Sequence, residues 1–321
     1  MADTLSQRPK VSVLVLAYRH EQFLRQALES VLGQVTDFEF DVVVGEDCSP
    51  DHTRRIVQEF ERRYPARVRP IYHPANVGMG ANLRACLAAC RGQYIALLEG
   101  DDYWTSPHKL QRQVDWLDAH PDFSICFHPV QDQNEDGSPS PTPPRQYPQD
   151  EYTFEDLLLP IYTVVSTGST MLRNVLTTWP EWLFAAKPID FALTLLYAEH
   201  GRAKLLPEAM SAYRMHPGGI WSGTARHRNI ESFLRMYEQL HRHYAGTRHA
   251  PALRRHLFDL YLTTANVHAN TGHPAAAAGF VRQALRLGPG PGTPLQPAAE
   301  LLGAALRLAR AWLRPRDAST D

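Results

Sequence analysis

Apolar positions in the first hundred residues switch between two periods. The run 11–18 (VSVLVLAY) is almost continuously apolar and β-branched, the pattern of a strand buried on both faces. Phe23, Leu24, Ala27, Leu28, Val31 and Leu32 then recur at helical spacing, with Glu21, Arg25 and Glu29 on the other side. Residues 40–44 read as a second strand, followed by Glu46, Asp47, Cys48, Ser49, Pro50 and Asp51, where Ser and Asp suit a helix N-cap. The next helix turns Ile56, Val57 and Phe60 inward and ends near Tyr64 and Pro65. A strand at 68–72, a helix at 80–90 and a strand at 94–98 follow, the last ending in Glu99, Gly100, Asp101 and Asp102. Four strand–helix units in this order predict an α/β domain, a mostly parallel sheet flanked by helices. Such sheets bind ligands beyond the carboxyl ends of their strands. Tyr18 and Arg19, Glu46 and Asp47, and Glu99 to Asp102 therefore converge on one edge.

The pattern changes at 131–149, where Pro139, Pro141, Pro143, Pro144 and Pro148 sit among polar residues and predict a loop. Structure resumes with a helix at 154–159 and a strand at 163–172, with Gly168, Ser169 and Thr170 in its middle. A helix at 189–200 closed by Gly201 and a return to the sheet over 204–213 follow. Strand signals stop near 228. Residues 230–244 form one amphipathic helix, and 253–271 with 274–287 form a helical hairpin similar to one tetratricopeptide unit. A Gly-Pro linker at 288–292 leads to a last helix at 296–313, rich in Ala and Leu, with Arg307, Arg310, Arg314 and Arg316 toward its end. The expected division is a catalytic domain at 1–228 and an all-α region at 229–321.

Composition narrows the classes. With 33 basic and 34 acidic side chains the formal charge is −1, so the basic excess of a general nucleic-acid binder is missing. The 44% hydrophobic and 21% charged residues are ordinary globular values and argue against wholesale disorder. Cys48, Cys86, Cys90 and Cys126 fit no zinc spacing; Cys86 and Cys90, four apart on one helix face, read as core residues, and a reducing compartment fits the set. The first ten residues lack the apolar segment of a signal peptide, and no run of 18 apolar residues occurs. The expected location is cytoplasmic, with peripheral contact at the inner face of the membrane as an extension.

Three carboxylates at a strand end are costly unless a positive charge shares the site, and hard oxygen ligands suit Mg²⁺ or Mn²⁺. Such an ion neutralises charge on a departing diphosphate. The bland reading of the same residues is a solvated acidic turn with Asp102 capping a helix.

The ordered set 11–18, Glu46 to Thr53, Asn76-Val77-Gly78, 94–104 and Pro107 to Leu110 resembles the amino-terminal half of a family 2 glycosyltransferase with the GT-A fold, over roughly residues 9–225. The resemblance implies an inverting, metal-dependent transfer from a nucleotide-sugar, UDP-sugar first, to a hydroxyl of a glycan or lipid-linked acceptor in bacterial surface-polysaccharide biosynthesis. It implies that Ala17 and Tyr18 line the nucleotide pocket. Asp47 would accept from the uracil N3–H with Glu46 beside it, and Arg84 would contact phosphate or nucleotide. Asp101 and Asp102 match metal and ribose carboxylates, and Glu99 stands where the first Asp of the family's D-x-D-D signature is found. Asp190, in Pro188-Ile189-Asp190-Phe191, matches the general base. His216, in Tyr213-Arg214-Met215-His216, would reach the metal or the diphosphate. Trp104 offers an aromatic face for the sugar or a core residue in equal measure.

Arg19 stands where the family often has Asn, and Cys48-Ser49-Pro50 replaces Asp-Gly-Ser. Gly218, Gly219, Trp221 and Ser222 suggest a lid. The first strand is followed by no glycine-rich dinucleotide loop, which argues against a dehydrogenase. The alternative from another class is a catalytically silent scaffold acting through its helical tail. That tail has three readings: packing on the catalytic domain, homodimerisation, or contact with an anionic membrane surface.

Overall fold

The computed structural model describes residues 8–143, 145–158, 165–219 and 226–290. Residues 8–157 with 165–219 belong to one compact unit, and 226–290 to another.

In the first unit, β1 (Val11–Ala17), α1 (Leu24–Leu32), β2 (Phe40–Glu46), α2 (Thr53–Arg63), β3 (Val68–Tyr72), α3 (Met79–Ala89) and β4 (Tyr94–Glu99) follow the predicted order. β1 lies between β2 and β4, parallel to both, and β3 extends the parallel set beyond β2. Nearly every residue of β1 and β2 is buried, because helices cover both faces. α1 contributes Leu24, Ala27, Leu28 and Val31 to that core.

The chain continues through β5 (Tyr103–Trp104), α4 (Lys109–Ala119), β6 (Phe123–Phe127), β7 (Val130–Asn134), β8 (Glu151–Tyr152) and α5 (Phe154–Leu157). A 3-10 turn (Thr167–Ser169), β9 (Met171–Arg173), α6 (Ile189–Ala198), β10 (Arg202–Leu205) and β11 (Ser211–Met215) complete the unit. Among the described residues the main sheet has eight strands in the order β3-β2-β1-β4-β9-β6-β10-β8. β9 runs antiparallel to β4 and β6. A smaller sheet, β5-β11-β7, stands apart from it.

Several elements differ from the sequence reading. α4 and β6 carry no sequence assignment, because the buried face of α4 holds Lys109 and Gln113 beside Leu110, Val114 and Leu117, which blurs the apolar period. The expected loop begins with β7, a polar strand held by backbone pairing to β11. In the described part of the strand expected at 163–172 a 3-10 turn comes first. Ser169 Oγ and Thr170 Oγ1 both donate to the Ser166 carbonyl, local bonds that compete with a ladder. The return over 204–213 divides between β10 and β11, one in each sheet.

The second unit holds α7 (Arg226–His243), α8 (Ala250–Asn270) and α9 (Pro274–Leu287). α8 and α9 form the expected hairpin, turned at Gly272 (φ 82°) and packed through Ala265, Ala277 and Val281. The expected helix at 296–313, and Trp221 and Ser222 of the expected lid, lie outside the described residues. Among the described residues no helix is long and apolar enough to cross a membrane.

Candidate active site

The sheet register aligns three strand ends. Ala17 of β1 pairs with Glu46 of β2, and Leu16 pairs with Glu99 of β4. Just past β4 the chain turns sharply: Gly100 N–H donates to the Leu16 carbonyl at 2.9 Å and Asp102 N–H to the Glu99 carbonyl at 3.1 Å. A Cβ at Gly100 would stand 2.8 Å from His20 Nδ1 and 3.0 Å from the Leu16 carbonyl oxygen, so the turn needs glycine. It gathers Glu99, Asp101 and Asp102, with ligand oxygens within 4.8 Å of one another.

β11 supplies the opposite wall. The Arg214 N–H donates to Asp102 Oδ1 at 2.8 Å, and its guanidinium donates to the Asp101 carbonyl and to Gln26 Oε1. His216 Nε2 lies 3.1 Å from Asp101 Oδ2, and His20 Nε2 lies 3.5 Å from the same oxygen. Burial pushes Glu99 well above the usual carboxylate range, and Asp101, Asp102 and Asp190 push it further. Burial and then Asp101 do the same to Asp102. For Asp101 burial acts upward too, but the His216 hydrogen bond and the His20 charge outweigh it and hold the group below its ordinary value. The bond to Asp101 raises His216, whereas burial lowers His20. Hard carboxylate oxygens crowded at one point, with imidazole nitrogens alongside, fit Mg²⁺ or Mn²⁺ as a donor set.

Asp190 opens α6 and is half-buried. Thr167 Oγ1 donates to its Oδ2 at 3.1 Å. Burial raises its pKa, and Thr167 and the Phe191 N–H pull against that. The turn that carries Thr167 is itself propped. Trp104 Nε1 donates to the Gly168 carbonyl at 2.9 Å, and Gln113 Nε2 donates to the Ser169 carbonyl at 2.9 Å. Lys109 Nζ donates to Gln113 Oε1 at 2.7 Å and lies 4.2 Å from the Trp104 ring centre.

The structure thus brings Glu99, Asp101, Asp102 and His216 together and sets Ala17 and the exposed Tyr18 at the end of β1. Asp47 is buried, and its two oxygens accept from the Val77 and Gly78 N–H groups at 2.7 and 2.9 Å. Three more expected donor contacts are likewise engaged within the protein. Glu46 is fully buried, accepting from Ser49 N–H and from Arg54. Arg84 pairs with Glu181 and stacks over Phe184. Trp104, 4% exposed, is a core residue without a free face for a sugar. The sequence reading missed His20, Arg145 and Thr167. His20 follows the first strand end and was within reach of that signal. Arg145 lies in the proline-rich segment expected as a loop, and Thr167 in a segment expected as a strand.

Residues 12–178, just over half of the chain, match the model of glycosyl transferase family 2. The chain belongs to this family. An uncharacterized protein of Mycobacterium tuberculosis is 40% identical over 212 residues, 66% of this chain and 60% of that protein, so the match spans less than two thirds of this relative's length. The mannosyltransferase PcManGT from Pyrobaculum calidifontis, solved with GDP-Man and Mn²⁺, is 18% identical. It superimposes with a TM-score of 0.58 over 96% of this chain and 84% of that one. S. aureus TarS 1-349, solved with UDP-GlcNAc, is 18% identical with a TM-score of 0.55 over 97% and 94% of the two chains. These likenesses establish the fold of this family 2 member as GT-A.

Proposed function

We propose that the protein is a metal-dependent inverting glycosyltransferase that moves a sugar from a nucleotide-sugar to a hydroxyl of a glycan or lipid-linked acceptor. One observation carries this reading. A carboxylate cluster suited to a divalent cation and a separately held, half-buried Asp190 belong to the same α/β unit, in a family 2 chain.

Glu99, Asp101, Asp102 and His216 would hold the cation, which when bound supplies positive charge for the departing diphosphate. Ala17, Tyr18 and Asp47 frame the nucleotide at the ends of β1 and β2. Asp190 accepts the proton of the attacking hydroxyl, and the Thr167 hydrogen bond fixes which oxygen faces it. Burial favours a base that is stronger than an ordinary aspartate. The two structural neighbours carry different nucleotides, UDP-GlcNAc in TarS and GDP-Man in the mannosyltransferase, so both donors belong in the test. UDP-sugars come first because Asp47 is present at the strand end.

The test incubates the full chain with UDP-GlcNAc or GDP-Man, with Mn²⁺ or with EDTA, and follows release of the nucleoside diphosphate. The expected result is release that needs the cation and is lost in Asp102→Ala. Release that is indifferent to EDTA and to Asp102→Ala contradicts the proposal.

A further inference from the structure

Arg145 reaches the acidic cleft from the proline-rich excursion. Its guanidinium donates to Asp132 Oδ1 at 3.2 Å and to Ser166 Oγ, and lies 5.6 Å from the centre of the Tyr213 ring. Ser166 is the chain neighbour of Thr167, whose hydroxyl donates to Asp190. The Arg145 charge is felt at Asp190, where it offsets part of the effect of burial. The same charge is felt at Asp102, so Arg145 lies between the carboxylate cluster and the base, and its contact with Ser166 ties it to the turn whose Thr167 holds Asp190.

Its surroundings differ from those of Arg214. That guanidinium is buried and engaged with Asp101 and Gln26. A guanidinium has five N–H donors. Among the described residues Asp132 and Ser166 take two from Arg145, and 27% of its side chain stays exposed. It is anchored without being covered.

Building on the glycosyltransferase reading, we propose that Arg145 binds a phosphate or carboxylate of the acceptor beside the hydroxyl that Asp190 activates, so that the acceptor is an anionic glycan or a phosphate-bearing chain. Glu99, Asp101, Asp102 and Asp190 together repel an anion; the ion pair with Asp132 offsets part of the Arg145 charge and leaves the exposed part of the guanidinium to a ligand. The planar fork of an arginine matches two oxygens of one phosphate or carboxylate. The diphosphate of the donor would be met by the cation that Glu99, Asp101, Asp102 and His216 would hold. That leaves the Asp190 side to the acceptor.

The test uses the full chain and its Arg145→Gln and Arg145→Lys variants. Each is saturated with whichever of UDP, GDP, dTDP and CMP the wild type binds, and Mg²⁺, then titrated with inorganic phosphate in a calorimeter. Arg145→Gln should keep its nucleotide affinity within about twofold and lose phosphate affinity by about tenfold or more, with partial recovery in Arg145→Lys. Unchanged phosphate binding in Arg145→Gln, or none in the wild type, overturns the proposal. A tenfold loss of nucleotide affinity also overturns it, because it assigns Arg145 to the donor diphosphate. If Arg145→Gln does not fold, Arg145→Lys decides, since it keeps the charge but loses the fork. Weaker phosphate binding at an unchanged melting temperature supports the proposal, and equal binding overturns it. A wild type that binds none of UDP, GDP, dTDP and CMP overturns the glycosyltransferase reading, a result separate from any loss confined to phosphate.

Discussion

The backbone N–H of Arg214 donates to Oδ1 of Asp102 at 2.8 Å, joining positions 112 residues apart. The bond ties β11, in the small sheet, to the turn after β4, in the large one. Two residues further on, His216 meets Asp101. The cluster is thus fixed from both halves of the unit, and a change in the register of β11 would move His216 away from it.

Asp190→Asn removes the proton acceptor but keeps an amide oxygen for the Thr167 hydroxyl. Transfer should slow by about 10²–10⁴-fold with donor affinity unchanged. In the wild type, activity should fall as pH drops through a pKa above the ordinary aspartate range, because burial raises Asp190 and only its ionised form accepts a proton. A rate profile across the acid range reads this. An acid limb at the ordinary aspartate value, or full activity in Asp190→Asn, contradicts the assignment.

Lys109 is fully buried, and burial lowers its pKa to about 7. The unfolded chain keeps an ordinary lysine near 10.5, so between these values the unfolded state binds more protons than the folded one. Stability from this group therefore rises with pH across that window, with a slope of at most about 1.4 kcal/mol per pH unit. Denaturant unfolding of wild type and Lys109→Met at pH 7, 8 and 9 should show the wild type gaining on the variant as pH rises. A difference that does not change with pH contradicts it.

Cys48 has φ 53°, a left-handed conformation that costs a residue with a Cβ roughly 1–2 kcal/mol. It lies in the Cys48-Ser49-Pro50 stretch that replaces the family's Asp-Gly-Ser, and Arg19 (φ 59°) stands where the family often has Asn. Both departures from the pattern thus occupy backbone that glycine or asparagine tolerates better. Cys48→Gly relieves the strain but adds about 0.5–1 kcal/mol of lost chain entropy. The melting temperature should rise by about 2 °C. A fall would contradict the strain argument.

The strand-end half of the site was legible in the sequence because β1, β2 and β4 are buried on both faces, so their apolar runs end sharply at Ala17, Glu46 and Glu99. The remainder depends on contacts that no local period records. Arg145 arrives from a proline-rich segment, Thr167 from a turn that had the look of a strand, and the Lys109–Gln113 prop from a helix with polar residues on its buried face. Trp104 was open between two uses in the sequence, and burial decides for the core. Glu46 looked like a ligand residue because it ends a strand, but Arg54, eight residues later on α2, claims it.

The central claim is that the cluster at Glu99, Asp101 and Asp102 binds a divalent cation together with a nucleotide. The most direct measurement is thermal denaturation of wild type and Asp102→Ala with UDP, GDP, dTDP or CMP, each with Mn²⁺ or EDTA, since a ligand of the native state raises the melting temperature by mass action. The account predicts a rise with UDP that requires Mn²⁺ and is absent in Asp102→Ala. A rise with another nucleotide under the same conditions keeps the metal site and reassigns the donor. No rise with any nucleotide in a folded wild type, or one that persists in EDTA and in Asp102→Ala, contradicts it.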